Sequence, residues 1–262
     1  MRRISAAHVI VAAAIGLAAC SKDSTAPASL IDDTQVTADV AASAGEAIAT
    51  DLAGLLGNEI AGALPTAGIS FDLFGTQGDS VTTVRTKTCY DAANAAVANC
   101  APLTTRRIVF HVTMDGFRAT ANATGQVHRV RDWTLTRNFN TAAPPVEVSR
   151  THDGIGTSAD TLRYANATTG VTRVHDETSV DTTVGVTFDL PHASNPWPVS
   201  GMMIRNVSLH VTVTTPTRNE SRNETRRVEV DYPADAQGNV VMHVNDKSCN
   251  LNLVTHAVTA CH

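Results

Sequence analysis

From Ser80 to the C-terminus, apolar and polar residues alternate with a period of two. Val207, Leu209, Val211 and Val213 stand against Ser208, His210, Thr212 and Thr214; Arg106, Ile108, Phe110, Val112 and Met114 alternate with Arg107, Val109, His111, Thr113 and Asp115. Successive side chains of a strand point to opposite faces, so this pattern predicts half-buried strands. The same criterion predicts strands at 81–88, 126–139, 146–150, 161–166, 171–180, 184–190, 228–232 and 240–244. Asp115-Gly116, Ala143-Pro144-Pro145, Thr168-Thr169-Gly170 and Gly238-Asn239 supply turn or bulge chemistry between them. Pro196-Trp197-Pro198 marks a loop, because two prolines cannot sit in a central ladder. The alanine-rich insert 90–99 is expected to form a helical turn.

Before Ser80 the period changes. Val40, Ala44, Ala47, Ile48, Leu52, Leu55, Leu56 and Ile60 recur every three or four residues, which predicts an amphipathic helix over 36–64, ended by Pro65. This helix carries no basic residue, which argues for a place on the sheet instead of on a membrane surface. The expected fold is mainly β: one N-terminal amphipathic helix followed by an antiparallel meander of about ten strands, as a curved sheet or a two-sheet sandwich.

The chain begins with Arg2 and Arg3, continues with the apolar run 6–19, and reaches Leu17-Ala18-Ala19-Cys20. A short cationic start, an apolar run and small residues at a cleavage point form a secretory signal. The four residues ending at Cys20 resemble the lipobox of bacterial lipoproteins. The resemblance implies cleavage before Cys20 and lipidation of its thiol, and Ser21 after it matches the outer-membrane sorting choice. The expected organisation is a signal peptide at 1–19, a lipidated cysteine and polar tether at 20–35, and a single domain at 36–262. The expected location is the cell envelope, anchored through lipid to the outer membrane.

Charge and cysteines narrow the reading further. Without Arg2 and Arg3 the 20 basic residues fall to 18 against 25 acidic ones, which argues against a nucleic-acid partner. Cys89, Cys100, Cys249 and Cys261 form two close pairs in a chain expected to be exported. Two local disulfides are therefore expected, each closing a short loop.

No nucleophile elbow, phosphate loop, dinucleotide fingerprint or HExxH motif occurs, and no cofactor is implied. His111, His210 and His243 lie on three strands, where two of them side by side would make a weak metal site. The stretch 218–227 repeats Asn-Glu-Ser as Asn-Glu-Thr. It presents Arg218, Arg222, Arg226 and Arg227, and is expected as a solvated hairpin tip or ribbon able to contact lipid headgroups or a partner. Together these features predict a non-enzymatic, lipid-anchored envelope protein with a β-rich binding or structural domain. A carrier with an apolar cavity between sheet and helix, and an enzyme built from separate strands, are the alternatives.

Overall fold

The computed structural model describes residues 28–57, 80–119, 123–192 and 195–262; the expected signal peptide, Cys20 and most of the expected tether lie outside them. Helix α1 spans Asp33–Gly57, and the predicted continuation to residue 64 also lies outside. Its start is fixed by Asp32, whose carboxylate accepts the Thr34 N–H at 2.9 Å.

Eleven strands follow: β1 Ser80–Tyr90, β2 Ala96–Val97, β3 Arg107–Ala119, β4 Thr124–Phe139, β5 Glu147–Asn166 and β6 Val171–Asp189 come first. Then come β7 Ser200–Thr214, β8 Asn219–Asp231, β9 Asn239–Val244, β10 Lys247–Asn252 and β11 Val258–Thr259. They form one antiparallel sheet in the order β11-β10-β9-β8-β7-β6-β5-β4-β3-β1-β2. The sandwich is thereby excluded; the meander is correct.

The open sheet curves around the helix. Arg118 of β3 pairs with Glu46, and Arg173 of β6 with Asp39; on the other flank a Cβ at Gly45 would lie 2.7 Å from Val258 and 3.0 Å from Leu251. From Ala47 to Leu56 every helix residue is buried, so the expected narrow stripe is a helix enclosed almost all round. One inner-face cluster joins Val40, Ile48, Leu52 and Leu55 to Phe110, Trp133, Phe188, Val211, Met242 and Leu251. Each such large side chain contributes about 1.5–3 kcal/mol on burial. A helix lying on a membrane would need that face free.

Several local expectations change. Strands predicted at 146–150 and 161–166 are the two ends of the 20-residue β5, and those at 171–180 and 184–190 are the single β6. β3 runs through Gly116, which is no turn; a Cβ there would meet the Ser80 carbonyl at 2.1 Å. The insert after Tyr90 is no helical turn. The Asp91 carboxylate accepts the Ala93 and Ala95 N–H groups and turns the chain into β2. Both local disulfides form, Cys89–Cys100 and Cys249–Cys261.

Candidate functional sites

The inner face divides into an apolar part and a polar part. Along β4, Val127, Trp133 and Leu135 share their face with Arg129 and Arg131, which are 4% and 1% exposed. A buried guanidinium must be paired and hydrogen-bonded to be tolerated. Arg131 Nε donates to Asp51 of the helix at 3.0 Å, and its Nη2 lies 2.8 Å from Asp181 of β6. Its Nη1 donates to the Thr157 carbonyl at 2.9 Å. Ser158 and Ser179 donate to Asp181 at 3.0 and 2.9 Å, and Arg205 of β7 donates to Ser179 at 3.0 Å. Arg129 donates to Asp160 at 2.7 Å.

The two carboxylates sharing Arg131 are pushed in opposite directions. Burial raises Asp51 above the ordinary aspartate value, and Arg131 offsets that only in part. Burial also acts to raise Asp181, but Arg205, Arg131 and the two serine hydroxyls outweigh it and hold it below the ordinary value. Asp181 gains two close guanidiniums and two serine hydroxyls, whereas Asp51 is more deeply buried and is raised further by Asp181 itself.

Beside this network His175 is fully buried, its Nε2 3.5 Å from Asp39 and its Nδ1 3.7 Å from Glu177. Arg173 donates to Asp39 at 2.7 Å and Ser43 donates to Glu177 at 2.8 Å. The void at the Arg131, Asp181 and Arg205 end measures about 10 Å³, the scale of a single water. These charges tie the helix to the sheet and leave no room for a substrate. His152 and His175 both lie on the core side and are fully buried.

An apolar groove of about 320 Å³ lies beside the C-terminal half of α1. Thr50 and Gly54 of the helix, Val112 and Met114 of β3 and Trp133 of β4 form its walls; Thr83 and Arg85 of β1 complete it. Gly54 opens the space, since a Cβ there would stand 3.2 Å from the Trp133 ring. Burial lowers the Arg85 pKa below the ordinary arginine value, and no hydrogen bond or ion pair engages its guanidinium among the described residues.

On the outer face Asp176 of β6, His210 of β7 and Asn223 of β8 stand opposite one another in a shallow, open depression. His210 Nδ1 lies 2.7 Å from Asn223 Oδ1, an arrangement that directs Nε2 away from the amide. Asp176 is engaged by Thr161, which donates to it at 2.9 Å. No hydroxyl is hydrogen-bonded to the His210 ring among the described residues, so the row lacks a positioned nucleophile.

The weak metal candidates are not brought together. His111, His210 and His243 lie on β3, β7 and β9, and no two of these strands are neighbours. His111 faces Asp132 at 2.8 Å, and Ser248 lies 3.2 Å from His243 Nδ1. Among the described residues no group of three or more His, Cys, Asp or Glu is arranged to hold a metal.

The segment 218–227 is no solvated tip. It is the first part of β8, with Glu220, Arg222, Glu224 and Arg226 on the inner side. Glu220 accepts the Ser29 hydroxyl at 2.6 Å and the Leu30 N–H at 2.8 Å, Arg222 pairs with Asp33, and Arg218 donates to the Ala28 carbonyl at 2.9 Å. The arginines therefore grip the point where the chain enters the domain. Arg227 is more exposed and pairs with Glu229.

Comparison with protein-family models, with curated proteins and with solved structures gives no match to this chain.

Proposed function

We propose that this chain is a non-enzymatic protein of the cell envelope, held by lipid on Cys20, whose β domain binds or scaffolds and does not convert a substrate. The observation carrying the non-enzymatic reading is the fate of the buried charges. Asp51, Arg131, Asp181 and Arg205 are committed to one another around a void of about 10 Å³, and the open histidine row has no positioned nucleophile. Metabolic labelling with a radioactive fatty acid tests the anchor. Label lost in Cys20→Ser is the expected result, and label retained there would overturn it.

A second reading, carriage of an apolar ligand, is favoured by the groove at Trp133. Its volume falls within the range of small-molecule sites, and an apolar wall with a few polar groups is their usual lining. Arg85 at this wall suits an anionic head group, which makes a fatty acid the natural probe. Brominated fatty acid should quench Trp133 fluorescence, with Trp197→Phe used to isolate the signal. Arg85→Ala should weaken binding roughly tenfold, and an unquenched Trp133 at saturating ligand would remove the carrier reading.

A further inference from the structure

The edge of β8 is open over most of its length. β9 pairs only with Val228, Glu229 and Val230, so from Asn219 to Arg226 the strand has β7 on one side and no strand on the other among the described residues. Arg227 shows which backbone groups this edge presents. Its N–H donates to Asn245 Oδ1 at 2.8 Å and its carbonyl accepts the Asn245 N–H at 2.8 Å, so both point away from β7. Backbone direction alternates along a strand, so Ser221, Asn223 and Thr225 present N–H and C=O along the same open edge.

Open edges are ordinarily blunted by charge, and a run of one sign would repel another copy of itself. Here the sign alternates on the inner face: Glu220, Arg222, Glu224, Arg226. An antiparallel copy centred on Asn223 sets Glu220 against Arg226 and Arg222 against Glu224, twice over by symmetry. Moving the centre one residue, to Arg222, sets arginine against arginine and Glu220 against Glu224. Opposite charges directly across an antiparallel pair stabilise it and like charges destabilise it, so the alternation excludes the Arg222 centre. A Ser221 centre also opposes unlike charges but draws on Arg218, outside the strand, whereas the Asn223 centre pairs all four within it.

We propose that β8 pairs with β8 of a second copy of this chain, antiparallel about a two-fold axis at Asn223, continuing the sheet across the interface. Facing residues whose backbone groups point at each other exchange two bonds, so Asn223 with itself and Ser221 with Thr225 supply about six backbone hydrogen bonds. The axis runs perpendicular to the sheet and leaves both inner faces on one side. Both Ala28 residues, held by Arg218, then enter from that side, as two chains tethered to a single membrane would require. The edge pairing itself does not depend on the anchor.

The test uses the disulfide-bonded chain from Ser21 to His262, which has no acyl group to drive association, in sedimentation equilibrium and light scattering across roughly 1–200 µM. Wild type should be dimeric in this range. Asn223→Pro removes the N–H at the axis and should weaken the dimer at least tenfold with an unchanged circular dichroism spectrum. Glu220→Arg with Glu224→Arg should be monomeric, as should Arg222→Glu with Arg226→Glu, and mixing these two variants should restore a heterodimer. A wild type monomeric throughout overturns the proposal. So does a dimer that survives Asn223→Pro, or charge variants that associate as well alone as mixed.

Discussion

Arg131 Nε lies 3.0 Å from Asp51 Oδ2, joining β4 to the helix through side chains that are 1% and 4% exposed. Both ions have lost their hydration, so each depends on the other, and Arg131 depends on Asp181 as well. Arg131→Met should destabilise the domain by about 3–5 kcal/mol, because it leaves Asp51 and Asp181 enclosed without the cation they share. Asp51→Leu with Arg131→Met removes one charge of each sign and leaves Asp181 with Arg205; it should fall within about 2 kcal/mol of wild type. Urea unfolding of the three proteins measures this, and a double variant worse than the single one would contradict it.

Gly156 is where Arg131 passes over β5. A Cβ at that position would stand 2.6 Å from both Arg131 Cδ and the Val130 carbonyl oxygen. The side chain can move, but the neighbouring backbone cannot do so cheaply. Gly156→Ala should cost about 1–3 kcal/mol by overpacking. Gly185→Ala, with no atom within 4 Å of its Cβ but a φ of +56°, should cost about 1 kcal/mol through backbone strain alone. Equal midpoints for the Gly156 variant and wild type would show that the strand gives way.

The carboxylates predict an acid limb with two opposing slopes. Asp181 is held low, and so is Glu147, where hydrogen bonds and charge from Arg137 and Arg150 outweigh burial. A depressed folded value means stability that is present above the unfolded carboxylate range, ~4, and lost as pH falls through the folded value. Asp51 is raised, so its stabilising share is complete below ~4 and fades as pH rises through its folded value. Denaturation midpoints from pH 2 to 7 should therefore drop below pH ~4, and Asp181→Asn should flatten that drop. An unchanged slope in Asp181→Asn would assign acid unfolding to other groups.

The two disulfides close loops of similar size, with sequence separations of 11 and 12, so chain entropy assigns each about 3 kcal/mol. Packing separates them. Cys249 and Cys261 pin β10 and β11, whose Leu251 and Val258 lie against the helix at Gly45, whereas Cys89 and Cys100 hold the β1–β2 edge. Removing Cys249–Cys261 should cost more than removing Cys89–Cys100. Paired serine variants followed by thermal unfolding would show the order, and the reverse order would place the weaker packing at the C-terminus.

Much of this architecture was legible because period two is a local property. The strands around Val112, Val211 and Val230, the helix from Val40 to Leu56, the meander and the cysteine pairing could each be read from spacing. The continuity of β5 and β6 could not. Their middle stretches carry Ser158, Asp160, Ser179 and Asp181 on the core side, where the pattern calls for valine or leucine. One signal was present: Arg129 and Arg131 share the phase of Val127 and Trp133.

By itself the sequence determined most of the elements, since side-chain alternation, turn residues and loop lengths act over a few positions. Only the tertiary structure decided that one open sheet curves around the helix, that a polar strand face is buried and that, among the described residues, β8 has no strand along most of one edge. The physical reason is distance along the chain. A charge on the core side of a strand is tolerable only when its partner is present, and Arg131 finds Asp51 80 residues earlier in the sequence.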